Sequence, residues 1–195
     1  MLNDILSSAA LAFEAILKYK YHIILGKKGK PTEINIHFFP DNFFHLAGLQ
    51  YLKQKYWSCS DKKVFSKILL HEISVNTIIN DGNFSRIFDR LKILAQIEFI
   101  LDSNSTKFFT FEPKKLHANS KIKADYLAKG FLSDSTTAFV FFLQEKDNGF
   151  YIPNSMFSFK GLDYSSNQTS YTTVLKEKIN LTTQETKTIF MLKSN

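Results

Sequence analysis

The stretch that decides the fold is FSRIFDRLKILAQIEFILDSNSTKFFTFE, residues 84–112. Up to residue 101 its apolar side chains recur every three or four positions, which is the period of an amphipathic helix. From KFFTFE at 107–112 onward, short runs of β-forming residues are separated by turn residues, a pattern typical of strands. The chain therefore changes from mostly helix to mostly strand near residue 105.

Four helices and one hairpin are predicted before this change. The helices span 2–20, 43–56, 62–73 and 84–101, and the hairpin joins YHIIL at 21–25 to TEINIHF at 32–38 through GKKGKP. The strands predicted after the change are KFFTFE, SKIKADYLAK, TTAFVFFLQ, FYIPNSMFSF and SYTTVLKEKI. The last segment, TTQETKTIFMLK at 182–193, fits either a short helix capped by Thr182 or a final strand.

This order of elements predicts an α+β fold in which the N-terminal helices pack on one face of a mainly antiparallel sheet. A helix-rich part covers residues 1–103 and a strand-rich part covers 104–195. No Pro- or Ser-rich linker separates the two parts, so we expect a single domain of residues 1–195.

Charge is the strongest compositional signal. The 195 residues include 25 Lys and Arg against 18 Asp and Glu, a formal net charge of +7. Excess positive charge attracts polyanions, so nucleic acid is the first partner to consider. The alternative is that much of this charge is ordinary solvated surface.

Location and cofactors follow from what the sequence lacks. A single cysteine, Cys59, excludes an internal disulfide framework, and no apolar run approaches the roughly 18 residues that span a bilayer. The N-terminal segment carries Asp4 and Glu14 and has no basic region, unlike a signal peptide. We therefore expect a cytoplasmic protein that does not bind membranes.

Metal and phosphate-loop chemistry is not indicated. The five histidines, at 22, 37, 45, 71 and 117, form no i, i+4 pair on one helix and have no accompanying carboxylate cluster. GKKGK at 26–30 does not have the spacing of a phosphate-binding loop. We expect no metal site and no cofactor, which leaves acid–base catalysis by side chains.

His45 is the candidate for such catalysis. It lies in FFPDNFFHLAGLQYLKQKYW, residues 38–57, the most aromatic part of the chain. If Asp41 caps the helix, His45 falls in the first turn, where the helix dipole favours the neutral imidazole that accepts a proton. The alternative is a core histidine whose ring bonds a backbone carbonyl.

Several segments resemble one family of nucleases. They are YKYHIILGKKGKPTEINIHF at 19–38, FFHLAGLQYL at 43–52, the helix with Arg86 and Arg90, and SFKGLDYSSNQTSYTTVLKEKI at 158–179. Together they resemble the fourth family of phage-encoded nucleases of the barnase, EndoU, colicin and RelE-like fold. The resemblance implies leading helices on a curved antiparallel sheet, and a metal-independent ribonuclease of a phage or mobile element that acts as a toxin.

RNA cleavage without metal needs a base, an acid and groups that stabilise the extra negative charge on phosphorus. The residues predicted to be catalytic are His45, Tyr164, Thr172 and Lys176. The residues predicted to bind substrate are Arg90, Lys123, Ser155 and Lys178. In the predicted strand, Lys176 and Lys178 share a face with Thr172 and would hold a phosphate there.

Each candidate has a structural alternative. Lys176 and Lys178, on either side of Glu177, also suit a charged edge strand that resists aggregation. Arg86 and Arg90 suit a solvated helix face. At the level of the whole protein, the expected ribonuclease, with RNA as substrate and a cognate inhibitor protein as partner, has one alternative: a non-catalytic module that binds RNA or protein.

Overall fold

The computed structural model describes residues 4–53, 59–116 and 120–193. Within these residues the helices are α1 (Ile5–Ile16), α2 (Asn42–Ala47), α3 (Asp61–Leu69), α4 (Val75–Ile78), α5 (Phe84–Leu94) and α6 (Ile97–Asp102). The strands are β1 (Tyr19–Lys27), β2 (Lys30–His37), β3 (Lys107–Thr110), β4 (Tyr126–Phe131), β5 (Thr137–Gln144), β6 (Tyr151–Ser158), β7 (Thr169–Asn180) and β8 (Thr186–Met191). No helix in this part of the chain has the length and apolar character needed to cross a membrane.

Seven strands close into a mixed β-barrel. Their order is β1-β2-β6-β5-β4-β3-β7, and β7 then pairs with β1 to complete the ring. Neighbours are antiparallel except β2 and β6, which run parallel and pair at Ile36 and Tyr151. The prediction of a curved, open, mainly antiparallel sheet with helices on one face is therefore wrong, although the α+β class is confirmed.

The length of β7 explains the closure. Its first residues, Thr169–Tyr171, pair with β3, and residues 172–180 pair with β1. β8, the strand formed by the ambiguous last segment, adds to β7 beside this ring. Such pairing joins residues far apart in sequence, so local periodicity carries no signal of it.

The β-sheet is buried on both faces along β5. Ala138–Phe142 of β5 is an uninterrupted buried run, as expected for a strand covered on two sides. One set of side chains, such as Val140 and Met156, joins the helices in the larger core. The alternating set forms an aromatic cluster of Phe109, Phe111, Leu116, Leu127, Phe139 and Phe141. Phe157 and Tyr164 pack against this aromatic cluster.

Most predicted elements are present with changed ends. The predicted helix 84–101 is two helices, α5 and α6, with a break at Ala95 and Gln96. The predicted helix 43–56 ends at Ala47, and a short 3-10 turn at Leu49–Tyr51 follows. The end predicted for it, at 54–56, lies outside the described residues. The hairpin is confirmed, with β1 and β2 in register from Lys20 opposite His37 to Lys27 opposite Lys30.

Candidate active site

Two adjoining depressions form a groove between α5, β6 and the segment after β6. Both are lined by Tyr51, Arg90 and Phe157, and we name their union the Arg90 groove. The first depression, of about 200 Å³, is completed by Arg86, Asp89, Ser158, Lys160 and Tyr164. The second, of about 390 Å³, is completed by His45, Lys121, Ile122, Lys123, Asn154 and Ser155. These sizes fall in or just below the ~300–1,000 Å³ range of ligand sites.

Arg90 is the centre of this groove. Its side chain is held between two aromatic rings, with Cζ 5.4 Å from the Tyr51 ring centroid and 4.8 Å from that of Phe157. The residue is only 6 % exposed, and Nη1 donates to the Leu46 carbonyl oxygen at 3.4 Å. Burial lowers the pKa of the guanidinium, but an arginine stays charged in proteins.

A buried cation is costly unless an anion accompanies it. Among the described residues no carboxylate lies within ion-pair distance of Arg90. Its two aromatic neighbours offer only the negative faces of their rings. Most of its N–H donors have no partner among the described residues, and their fixed fork suits a phosphate.

Gly48 makes this position of Arg90 possible. It follows α2 in the left-handed conformation, with φ of 78°, which ends the helix. A Cβ placed on Gly48 would lie 2.8 Å from Arg90 Cδ and 3.1 Å from Ile87 Cγ2. The glycine thus provides both the turn and the space that the arginine stem occupies.

Gly48→Ala should therefore lower stability by more than the roughly 1–2 kcal/mol expected for a left-handed alanine, because the clash with Arg90 adds to the backbone strain. Gly29→Ala is the matched control, since Gly29 has a φ of 75° but an added Cβ would meet nothing within 4 Å. Urea unfolding of both variants measures the difference. Equal losses in the two variants would show that the Cβ is accommodated without cost.

The lining of the groove is mainly cationic. Arg86 Cζ stacks over the Tyr51 ring at 3.9 Å from its centroid and is exposed to solvent. Lys121 and Lys123 are also exposed, and neither has an ion-pair partner among the described residues. Among the described lining residues the carboxylate is Asp89, which pairs with Lys160. The remaining net charge favours a polyanion.

His45 lies at one end of the groove with its ring accessible. The Gln50 side-chain amide donates to Nδ1 at 3.2 Å and to the His45 carbonyl oxygen at 3.3 Å. Partial burial, followed by the nearby charge of Arg90, lowers the pKa of His45, while a hydrogen bond to the Asn154 backbone opposes this. Burial and Arg90 are what favour the neutral ring. The expected effect of a helix N-terminus is absent, because α2 is so short that His45 belongs to its last turn.

Tyr164 lies at the other end. Its ring stacks on Phe157 with centroids 5.4 Å apart and an interplanar angle of 19°. The loop that carries it is fixed by Asp163, which accepts hydrogen bonds from Lys129 Nζ at 2.7 Å and from Ser165 Oγ at 2.6 Å. Burial raises the pKa of Tyr164, so its hydroxyl stays protonated and able to donate.

Five of the predicted site residues line this groove: His45, Arg90, Lys123, Ser155 and Tyr164. The other three do not line it. The β1–β7 pairing skips Val174, since Ile24 is opposite Leu175 and Leu25 is opposite Thr173. This irregularity puts Thr172 on the opposite face of β7 from Lys176, so the predicted shared face does not form.

Lys176 and Lys178 contact α6. Lys176 is 1 % exposed and its Nζ donates to the carbonyl oxygens of Leu101 and Ser103, each at 2.7 Å. It thereby caps the C-terminal end of the helix, where a cation is favourable. Lys178 forms ion pairs with Glu98 and Asp102. Burial lowers the pKa of Lys176 to about 8.

Lys176→Ala should lower the free energy of unfolding by about 2–5 kcal/mol, as for other large-to-small core substitutions. The change opens a cavity and leaves two carbonyl oxygens without their donor. Lys176→Met, which keeps the volume, should lose less. Urea unfolding measures both losses. A methionine variant that keeps its stability but loses nucleic-acid cleavage would instead support the predicted catalytic role of Lys176.

Several lining residues were not predicted from the sequence. Tyr51 and Phe157 hold Arg90, but an aromatic residue among so many gives no sign that it faces a groove. Gly48 carried a usable signal, because a glycine directly after a short helical segment predicts a left-handed end. Lys160 and Lys121 look like surface lysines in the sequence, and only the fold brings them to this groove.

Metal-ligating side chains are scattered over the fold. Among the described residues, no three His, Cys, Asp or Glu side chains lie together in a way that could hold a metal ion. His117 lies outside these residues. The donor set of the Arg90 groove is also poor for a divalent cation, because Asp89 is already paired with Lys160.

Comparisons with known proteins give the family. Neither the curated proteins nor the solved structures include a match to the chain. A protein-family model does match it, with the description phage-Barnase-EndoU-ColicinE5/D-RelE like nuclease4, over residues 5–193. The match covers all six helices and all eight strands of the described residues. The chain belongs to this family of phage-associated nucleases, whose substrate is nucleic acid.

Proposed function

We propose that the Arg90 groove cleaves RNA by attack of the 2′-hydroxyl on the neighbouring phosphate, without a metal ion. The observation that carries this proposal is the buried Arg90 guanidinium, which has no carboxylate partner among the described residues and lies in the same groove as an accessible imidazole. A fixed cation in a poorly solvated position stabilises developing negative charge with little reorganisation.

Substrate binding rests on the cations of the groove. Arg90 binds the scissile phosphate, and Arg86, stacked on Tyr51, binds the same or the next phosphate. Lys121 and Lys123 hold the backbone on the His45 side. Ser155, in β6, donates a hydrogen bond to a phosphate oxygen.

His45 acts as the base. Its Nδ1 carries the lone pair, because the Gln50 amide donates to it. The 2′-hydroxyl replaces this exposed hydrogen bond and transfers its proton to Nδ1. The 2′-oxygen forms the new bond to phosphorus, and Arg90 compensates the negative charge on the non-bridging oxygens.

Tyr164 acts as the acid. As the bond from phosphorus to the 5′-oxygen breaks, the Tyr164 hydroxyl gives its proton to that oxygen. The products are a 2′,3′-cyclic phosphate and a free 5′-hydroxyl, and the proton on His45 returns to the tyrosinate through solvent. The neighbouring charge of Arg90 favours the transient tyrosinate.

Incubation of the purified protein with total RNA in excess EDTA tests the proposal. We expect fragments that end in 2′,3′-cyclic phosphate, detected by resistance of the 3′ ends to ligation until the cyclic phosphate is opened and the resulting monophosphate is removed by a phosphatase. RNA that is bound but intact would contradict the proposal and favour a non-catalytic binding module. A toxin role and a cognate inhibitor are proposals that depend on this activity.

The acidic limb of the pH–rate profile follows from the lowered pKa of His45. The base must be neutral, and burial together with Arg90 lowers the pKa of His45, so kcat/KM should fall only below the usual histidine value of about 6.5. Removing the nearby charge in Arg90→Met should move this acidic limb to higher pH. Initial rates on a dinucleotide substrate from about pH 4 to 9 measure this acidic limb in wild type and in the variant. An acidic limb above about 6.5 would contradict the assignment of His45 as the base.

A further inference from the structure

We propose a second nucleotide-binding subsite beside the Arg90 groove, in the depression lined by Asn104, Ser105, Lys107, Phe109, Lys129 and Phe131. Its occupant is a neighbouring nucleotide of the same RNA strand. The inference rests on the proposed function for the identity of that strand. The depression has a volume of about 430 Å³, within the range of ~300–1,000 Å³ typical of ligand sites.

The two sites are linked by side chains that contact the same aromatic cluster. Lys129 lines the proposed subsite and donates to Asp163, whose neighbour Tyr164 lines the Arg90 groove. Phe109, which also lines the subsite, belongs to the aromatic cluster against which Tyr164 packs. A strand that leaves the Arg90 groove past Tyr164 therefore reaches Lys129 next.

The electrostatics of this depression favour an anion. Lys107 and Lys129 are directly opposite each other on β3 and β4, and like charges in that position are destabilising. Asp163 neutralises Lys129, but Lys107 is exposed and has no ion-pair partner among the described residues. A phosphate would supply the missing negative charge.

An aromatic side chain is available beside this cation. Phe131 is 42 % exposed at the end of β4, while Phe109 forms the floor of the depression. Proteins that bind single-stranded nucleic acid combine such a basic position with a ring on which a base stacks. The geometry thus fits one phosphate at Lys107 and one base at Phe131.

Binding of non-cleavable 2′-O-methyl oligouridylates tests the subsite. We expect an oligomer of about eight nucleotides to bind wild type more tightly than a dinucleotide does, within the range of site sizes known for single strands. Lys107→Gln should weaken binding of the long oligomer by several-fold and reduce the slope of log K against log salt by about 0.7. Phe131→Ser should weaken it by about tenfold. Neither change should affect the dinucleotide.

Lys187→Gln is the matched control. Lys187 is also an exposed strand lysine directly opposite another lysine, Lys178, but on β8. Its replacement should leave both affinities unchanged. Equal behaviour of the Lys107, Phe131 and Lys187 variants on the long oligomer would overturn the subsite.

The readout separates this inference from the proposed function. Cleavage of a ribodinucleotide depends on the Arg90 groove alone, whereas affinity for the long 2′-O-methyl oligomer does not need cleavage. A protein that cleaves the dinucleotide but shows no effect of Lys107→Gln retains the function and loses the subsite. A protein that cleaves nothing but binds the long oligomer through Lys107 loses the function and retains the subsite.

Discussion

Replacing His45 with alanine should reduce kcat/KM for RNA cleavage by about 10²–10⁴-fold, the usual contribution of a general base. His45 is exposed, and its side chain is held by Gln50, which is exposed as well. Truncation of the ring therefore leaves the core intact and should change the free energy of unfolding little. Affinity for 2′-O-methyl RNA should also be retained, because the phosphate contacts belong to the cations.

His71→Asn is the control for this variant. His71 is an exposed histidine that does not line the Arg90 groove, and asparagine tolerates its φ of 59°. Its cleavage rate should equal that of wild type. If His45→Ala kept full activity, another group would have to be the base and the proposed mechanism would be wrong.

Replacing Arg90 with methionine should reduce kcat by about 10²–10³-fold, as does removal of one preorganised charge-stabilising donor in other enzymes. The free energy of unfolding should stay the same or rise, although activity falls. Methionine keeps much of the side-chain volume between Tyr51 and Phe157 and removes a buried charge, a replacement that is often neutral or stabilising. The loss of one hydrogen bond to Leu46, 3.4 Å long, is small by comparison.

Arg86→Met tests whether the effect on kcat requires a buried arginine. Arg86 carries the same charge and stacks on the same Tyr51 ring, but it is exposed to solvent. Its replacement should weaken RNA binding and change kcat much less than Arg90→Met does. Parallel measurement of kcat, KM and urea unfolding for the two variants separates these effects. An unfolded Arg90→Met protein, or equal losses of kcat in both variants, would contradict the assigned role of the buried guanidinium.

Local patterns predicted elements better than their assembly. The β1–β2 hairpin follows from two β-rich runs around GKKGKP, and it is present in the expected place. The barrel depends instead on pairing of β7 with β1, which no local pattern encodes. The helix break at Gln96 is likewise not encoded by the apolar period, and the Gln96 side chain accepts a hydrogen bond from the distant Ser133 backbone.

The candidate site shows the same contrast: its residues were predicted better than the contacts that the fold gives them. His45, Arg90 and Tyr164 come from three separate segments, and all three were predicted from the residues together with the family resemblance. Thr172 and Lys176 were expected on one face because strands alternate, but the skipped Val174 in the β1–β7 register separates them. Lys176 caps the end of α6, and no local pattern indicates that contact, although the predicted helix end at residue 101 is one residue from the observed end. Tyr51 and Phe157, which flank Arg90, are recognisable as site residues only once the fold places the arginine between them.

The central claim, RNA cleavage by the 2′-hydroxyl without metal, is tested most directly by a DNA oligonucleotide that contains a single ribonucleotide. Incubation in EDTA should give one cut, on the 3′ side of the ribonucleotide, with a 2′,3′-cyclic phosphate on one product and a 5′-hydroxyl on the other. The all-deoxy oligonucleotide should remain intact. Cleavage of the all-deoxy strand, or cleavage that begins only when Mg²⁺ is added, would contradict the claim.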